Sequence, residues 1–482
     1  MHLSLLDECR GRAEQALAVL SGGASPDTRC EMKLHAALAS SSWMSTAGIY
    51  AQGVHELSAI WTKALEIAES LGDAEYQLRS LYGLWAFHVG IDQLRVALEN
   101  APRFRTLASK QRDRNDRLIG ERIIGALQHL LGDQASARRH TEHMLANFIL
   151  LDQRSHDLIR FQYDQRVSAR VYLARILWLQ GFPDEAIRTA KGAVDEARES
   201  NHALSLCYAL AGAAWTMLWV EDLAAAERYT VMLLDHSARL GLALWRAWVR
   251  IFQEVLAIGR YDFGPGLRQL RAGFDEFGSA MSDWISVMFL TELAAGFARA
   301  GQIADGLAAA EQAIERAEQT EARWLFPGSL RIKGELLLSQ AAAGAAAAAE
   351  DHFRQALDWA RRQGALSLEL RAATSLARLL RDQGRPADAM ALLRPVHVRF
   401  TEGFDTGDLK AAKALLDVLA EPYALREPAY HDHPPQRPLL SVPDTTSRGA
   451  DWSSGDVRSF TGGVPRGGSF YLHWNARLIT TS

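Results

Sequence analysis

A glycine, a small residue five places later and another seven places further on recur along this chain of 482 residues. The stretch LWLQGFPDEAIRTAKGAVDEA, residues 177–197, carries them as Gly181, Ala186 and Ala193. Weaker copies continue the series, and successive glycine-like anchors between positions 53 and 384 are 37 to 49 residues apart. A period of about 40 residues is typical of a stack of similar units. The other copies that keep the offsets, wholly or in part, are Gly132 and Ala137; Gly301, Gly306 and Ala313; Gly344, Ala349 and Ala356; and Gly384 and Ala389.

The segments between the anchors have helical periodicity. YLARILWLQ, TELAAGFARA and RAATSLARLLRDQ place apolar residues three and four positions apart. The anchor glycine can end a first helix in the left-handed conformation, and Pro183 suits the start of a second. We therefore predict an all-α solenoid over residues 1–420, a right-handed superhelix of about eight or nine helical hairpins.

The composition changes after about residue 420. Residues 421–482 hold seven of the fourteen prolines, and the helical periodicity stops. We expect this Pro-, Gly- and Ser-rich tail to be disordered.

Composition and charge exclude several classes of protein. The net charge of −4 argues against non-specific electrostatic binding to nucleic acid or to a membrane surface. No apolar run is as long as a membrane span, and the first residues do not resemble a signal peptide. The three cysteines form neither a disulfide framework nor a metal knuckle. We expect a cytoplasmic protein.

The motifs of common enzyme classes do not occur in the sequence. It has no phosphate loop, dinucleotide fingerprint, HExxH motif or nucleophile elbow. His140 and His143, with Glu142 between them, are the nearest approach to a metal site, but zinc needs further ligands. We interpret this group as a solvated helix face, and we expect neither a metal nor a cofactor nor catalysis.

Three tryptophans recur with nearly the same period as the repeat. Trp245, Trp284 and Trp324 follow one another at intervals of 39 and 40 residues. On a shared surface they could stack on a ligand or partner. Alternatively, each packs between neighbouring hairpins, which a drift in their distance to the next anchor favours.

The amino-acid sequences of the repeats resemble those of one family. GDQASARRHTEHML and DWARRQGALSLELRAATSLARLLRDQGR are similar to the C-terminal tetratricopeptide-type region of bacterial winged-helix regulators that carry a STAND-class ATPase, and more distantly to the maltose-regulon activator. The resemblance covers residues 3 to about 420. The DNA-binding and ATPase domains of that family have no counterpart in this sequence, which leads us to expect a truncated gene, a fragment or a regulator divided between two chains.

The resemblance implies a non-catalytic sensor or protein-interaction module that binds a small effector or a protein partner. That partner could be a separate ATPase or DNA-binding regulator. A free-standing adaptor is the alternative, and an enzyme with residues converging on the helical surface is a third hypothesis.

The spacing rule predicts the effect of one substitution. Ala186→Trp should overpack the contact within its hairpin and lower the stability by about 1–3 kcal/mol, measured by thermal unfolding. An unchanged melting temperature would count against this helix contact.

Overall fold

The computed structural model describes residues 6–21, 27–44, 54–149, 160–260, 267, 283–340 and 342–424. The regular elements within these ranges are helices, and no strand occurs in them. A single 3-10 helix, η1, spans Arg323–Leu325. The α-helices are α1 Leu6–Ser21, α2 Thr28–Met44, α3 Val54–Ser70, α4 Ala74–Gly90, α5 Leu94–Ser109, α6 Arg114–Leu131, α7 Gln134–Asn147, α8 Gln165–Leu179, α9 Pro183–Glu199, α10 Ala203–Trp219, α11 Leu223–Arg239, α12 Ala243–Gly259, α13 Asp283–Arg299, α14 Ile303–Thr320, α15 Phe326–Ser339, α16 Ala345–Gln363, α17 Leu366–Asp382, α18 Pro386–His397 and α19 Gly407–Ala424.

Helices that follow one another in the chain pack together as hairpins. The first helix of a hairpin also contacts the first helix of the next, as α8 does with α6 and α10, and as α15 does with α13 and α17. The predicted all-α stack of helical hairpins is therefore confirmed. The first helices are α2, α4, α6, α8, α10, α12, α13, α15 and α17, and their second helices within the described ranges are α3, α5, α7, α9, α11, α14, α16 and α18.

Residues 1–419 form one compact unit and residues 420–482 a second. The last residues of α19 are the described part of the second unit. Residues 425–482, most of the tail predicted to be disordered, lie outside the described residues, so that prediction and the predicted division at residue 420 remain predictions. No helix among the described residues has the length and apolarity needed to cross a membrane.

Local chemistry explains the recurring turns. Gly132 and Gly181 have φ angles of +98° and +89°, the left-handed region that ends a helix and favours glycine. Aspartates at several helix starts accept backbone N–H groups that lack a partner within the helix, as Asp133 does from Ser136. The small residues of the second helices are buried against the first helices, and Ala186 is fully enclosed. The other fully enclosed alanines of the pattern are Ala137, Ala193, Ala313, Ala349, Ala356 and Ala389.

The C-terminal hairpin also contacts the middle of the stack. Ser367 Oγ of α17 donates a hydrogen bond of 2.5 Å to the carbonyl of Trp178, in the last turn of α8. Arg371 Nη2 donates one of 2.9 Å to the carbonyl of Trp219, the last residue of α10. Carbonyls in the last turn of a helix lack a partner in the next turn. The Trp178 carbonyl also accepts from the Gly181 N–H at 3.1 Å, so Ser367 adds a second donor there, whereas Arg371 supplies the partner of the Trp219 carbonyl.

The loop at residues 398–406 makes the matching contact with the start of α9. The backbone N–H of Gly403 donates to Asp184 Oδ2 at 3.0 Å, and the backbone N–H of Glu185 donates to Glu402 Oε1 at 2.9 Å. Glu402 thereby satisfies a backbone donor in the first turn of α9, where negative charge is favoured. We call this set of contacts, from α17 and residues 398–406 to the ends of α8, α9 and α10, the closure interface.

Gly181 combines its left-handed conformation with a close approach across the closure interface. A Cβ atom there would lie 2.6 Å from Leu366 Cδ2, whereas at Gly301, whose φ is also positive at +73°, it would meet nothing within 4 Å. Gly181→Ala and Gly301→Ala therefore share the backbone strain, about 1–2 kcal/mol, and differ in the contact.

We expect Gly181→Ala to lower the free energy of unfolding by about 1–3 kcal/mol more than Gly301→Ala, measured by urea denaturation. Equal losses would show that the closure interface is not formed in solution.

Candidate binding site

The repeat-spaced tryptophans lie in the interior of the stack. Trp324, in η1, is fully buried, and its ring centroid lies 4.7 Å from that of His129 and 5.8 Å from that of Trp219. Trp245 of α12 is also buried, and its ring centroid lies 6.4 Å from that of Tyr208. Trp284 belongs to α13, but its side chain is outside the part of the structure that is described. The packing arrangement is thus the one seen for two of them, and a role in ligand stacking stays a prediction.

Aromatic side chains of the first helices continue this interior. Trp178 and Trp219 stack with centroids 4.9 Å apart, and Trp215 stacks on Trp219 at 5.9 Å. The Arg371 guanidinium lies 5.0 Å from the Trp178 ring and pairs with Asp408 at 2.8 Å. No sequence pattern singles out Trp178, because its partners are distant in the chain.

A shallow cleft lies beside this stack, at the closure interface. Its volume of about 260 Å³ includes part of the surrounding solvent, and Trp178, Trp219, Phe400, Thr406 and Asp408 are among the residues that line it. The polar side chains of the cleft already have partners, since Thr406 donates to the Gly403 carbonyl and Asp408 accepts from Arg371. The cleft therefore belongs to the packing of the closure interface.

His129 is fully buried at the contact between α6 and η1. Both ends of the Gln134 side-chain amide contact His129. Its Nε2 donates to the backbone carbonyl of His129 at 3.1 Å, and its Oε1 lies 2.8 Å from Nδ1 of the imidazole ring. The neutral ring therefore carries its proton on Nδ1. Burial lowers the pKa of His129 to about 3, against the smaller opposing effect of the Gln134 hydrogen bond.

A second group of polar side chains lies between α4, α6 and α8. Arg122 of α6 is only 2% exposed, and its guanidinium carbon lies 5.0 Å from the Trp85 ring and 5.6 Å from the Tyr82 ring. Its Nε donates to Gln165 Oε1 at 2.8 Å. Its Nη2 is enclosed and has no hydrogen-bond partner in the described part of the chain.

Three further arginines, Arg79, Arg160 and Arg175, are also buried in this part of the stack. Arg79 of α4 donates to the Tyr76 hydroxyl at 3.2 Å, and burial lowers the pKa of Arg79. The Arg160 charge contributes to that lowering, so the two guanidinium groups are near each other. Arg175 lies over the Tyr172 ring at 5.3 Å.

The phenol of Tyr172 connects Arg175 to Arg122. Burial raises the pKa of Tyr172, and the charges of Arg175 and Arg122 both oppose that rise. Both cations are therefore close to the same hydroxyl. We call Arg79, Arg122, Arg160 and Arg175 the arginine cluster.

One carboxylate in the cluster has an evident partner. Asp116 accepts two hydrogen bonds from Arg160, at 2.9 and 3.3 Å, and both side chains are buried. Asp116 thus compensates the charge of Arg160. No carboxylate among the described residues forms an ion pair with Arg122.

The histidine group of α7 does not converge. His140 Nδ1 lies 2.5 Å from Glu121 Oε2 of α6, while Glu142 pairs with Arg138 at 2.7 Å. The carbonyl of His143 accepts from the Asn147 amide at 2.9 Å, within one helix. Among the described residues, no group of three metal-ligating side chains comes together.

Comparison with known proteins gives similarities at the level of solved structures. No protein-family model matches the chain, and no curated protein matches it. A Rap protein in complex with competence and sporulation factor is 11% identical, with a TM-score of 0.39 over 80% of this chain and 95% of that one. The Rap conjugation regulator of plasmid pLS20, in complex with the Phr* peptide, is 11% identical, with a TM-score of 0.43 over 74% of this chain and 99% of that one.

A STAND protein with a tetratricopeptide repeat sensor, from Pyrococcus horikoshii, is also similar. It is 11% identical, with a TM-score of 0.39 over 83% of this chain and 56% of that one. The helical hairpins and their packing, rather than these similarities, define the fold of this chain.

The buried His129 predicts a loss of stability in acid. Its pKa is lower in the folded protein than the ordinary 6.5 that we assign to the unfolded chain, so only the unfolded chain takes up the proton between those values. The contribution of His129 is fully present above about pH 6.5, and stability should fall as the pH drops from there towards about 3, by up to about 1.4 kcal/mol per pH unit.

We expect His129→Asn to flatten this slope of unfolding free energy against pH, measured by urea denaturation at a series of pH values. A slope equal to that of the unsubstituted protein would show that His129 is accessible to protons in the folded state.

Proposed function

We propose that this chain is a non-catalytic sensor or protein-interaction module of a STAND-type bacterial regulatory system, and that it binds a small effector or a protein partner on the face formed by its first helices. The resemblance of its repeats to such regulators supports the regulatory role. The stack of hairpins supports a binding role, because each unit adds surface to one extended face.

One observation carries the binding role. The first helices contact one another in succession, as α6, α8 and α10 do and as α13, α15 and α17 do, so they form one continuous layer of the stack. Such a layer gives a helical-repeat protein the extended surface on which a partner can bind.

The closure interface offers a way to transmit binding. It joins hairpins that are far apart in sequence. A ligand that favours one arrangement of these hairpins would therefore change the strength of the contacts in the closure interface. The change can be no larger than the difference in the ligand's affinity for the two arrangements.

A free-standing adaptor that gathers protein partners is the second candidate. The same layer of first helices favours it, since the layer offers a binding surface without indicating what the bound state controls. The two candidates differ in the identity of the partner.

Cross-linking in extract of the native cells, followed by mass spectrometry, tests the proposal. Recovery of a DNA-binding protein or an ATPase, cross-linked to the first helices, is the expected result. Unrelated client proteins would favour the adaptor.

Thermal unfolding provides the second measurement. A ligand present at 100 times its dissociation constant should add about 2.7 kcal/mol of stability, which raises the melting temperature. If no protein is cross-linked in extract and no metabolite pool of the native cells raises the melting temperature, the binding role itself is wrong.

A further inference from the structure

Helices α8 and α10 are enclosed on every side. Thirteen of the 15 residues of α8 and thirteen of the 17 residues of α10 are buried, and the others are half-buried. Their second helices differ, because α9 buries seven of its 17 residues and α11 buries five of 17. A helix that packs on one side only keeps an exposed polar face, as α9 and α11 do. The middle of the first-helix layer is therefore covered, and a partner reaches it only if the cover moves.

The cover comes from the C-terminal part of the stack. The ring centroid of Trp324, in η1, lies 5.8 Å from that of Trp219. The ring centroid of Phe289, in α13, lies 5.3 Å from that of Trp215. Helix α17 lies against the last turns of both α8 and α10 at the closure interface.

One side of α17 supplies its contacts with α8 and α10. Ser367 and Arg371 donate to the carbonyls at the ends of these helices, at 2.5 and 2.9 Å. Leu366 lies against Gly181, and Leu370 lines the cleft. Residues one and four positions apart share a face of a helix. An amphipathic helix laid on an apolar groove is a common mode of recognition between proteins, and here the helix belongs to the same chain.

The closure interface is packed less completely than the hairpins. A cleft that admits solvent remains between Trp178 and Trp219 on one side and Phe400 on the other. Water can replace the partners of its hydrogen bonds, so each contributes only about 1 kcal/mol. The curvature of a helical stack is the sum of small rotations between repeats, so α17 can leave α8 and α10 while every hairpin stays folded.

We propose that α17 occupies the binding face of α8 and α10, and that a partner binds this face with a helix of its own when the closure interface opens. This inference rests on the proposed binding function and specifies what regulates it. Because α17 is tethered, it competes at an effective concentration on the order of 1 mM. The partner helix must therefore bind more tightly than α17, or the closure interface must first be weakened.

Thiol labelling tests whether the closure interface opens in the folded chain. Ser367→Cys places a thiol on the covered side of α17, in a chain that also carries Cys9→Ser and Cys30→Ser. Mass spectrometry of peptides resolves the labelled sites, and each rate is compared with that of the unfolded chain. We expect position 367 to be protected at least about tenfold less than Cys207, which is enclosed in α10. Its labelling should also depend less on urea, since opening exposes less surface than unfolding.

Ser329→Cys is the matched control for this measurement. Ser329 of α15 is also buried, and its hydroxyl lies 2.8 Å from that of Thr291, away from the closure interface. The same substitution there removes a similar hydrogen bond without touching α8 or α10. The thiol at position 329 should be protected as strongly as Cys207.

Two glycine substitutions test whether the contact of residues 398–406 keeps α17 in place. Gly403 and Gly384 both have a φ of +75°, so alanine strains the backbone at both positions. A Cβ atom at Gly403 would overlap Pro183 of α9, whereas at Gly384 it would meet nothing within 4 Å. We expect Gly403→Ala to speed the labelling at position 367 at least about tenfold and Gly384→Ala to change it less.

A peptide of residues 364–385, which contains α17, tests the binding face. Labelled with fluorescein and followed by fluorescence anisotropy, it should bind Gly403→Ala at least about tenfold more tightly than the unsubstituted chain, in which α17 occupies the face. The substitution Arg371→Met in the peptide should weaken the complex, because it removes the donor to the Trp219 carbonyl.

Three results would overturn the proposal: equal protection of position 367 and Cys207 at every urea concentration, an unchanged labelling rate in Gly403→Ala, or no binding of the peptide to Gly403→Ala. Failure of the wider function is distinct. If the unsubstituted chain and Gly403→Ala cross-link equally to the same cellular partner, the binding module stands and competition by α17 is wrong. If neither recovers a partner, the proposed function itself fails.

Discussion

The ends of helices impose the main constraint on this fold. A stack of short helices multiplies backbone groups that have no partner within their own helix, and each needs a partner from elsewhere. Side chains next to the helix supply many of them, as Asp133 does for the start of α7. At α9 and α10 the partners come from residues 398–406 and from α17, and at α8 Ser367 adds a second donor, so polar contacts at helix ends join parts of the chain that are distant in sequence.

The aromatic interior depends on the same contact. The rings of Trp178 and Trp219 stack on each other, and the backbone carbonyls of the same two residues accept hydrogen bonds from Ser367 and Arg371. The Arg371 guanidinium also lies over the Trp178 ring. Burial of large aromatic surfaces supplies non-directional stability, whereas the hydrogen bonds select one arrangement.

The sequence predicts the repeating unit because the unit is local. Gly181, Ala186 and Ala193 lie within one hairpin, and periodicity alone identifies the helix, the turn and the enclosed face. The closure interface joins Ser367 to a carbonyl 189 positions away, a pairing that no short-range pattern encodes. The same reason hides the position of Arg122, whose partners Gln165 and Trp85 come from α8 and α4. The repeat spacing of Trp245 and Trp324 reflects equivalent places in the hairpins, and such places can be interior as well as exposed.

Helix α8 links the arginine cluster to the closure interface. Gln165, its first residue, accepts from Arg122, and the Trp178 carbonyl in its last turn accepts from Ser367. The helix is 15 residues, or about 22 Å, long, so the two contacts lie at its opposite ends. A ligand that favours a different position of α8 would therefore change both the Arg122–Gln165 contact and the closure interface, by no more than the difference in its affinity for the two positions.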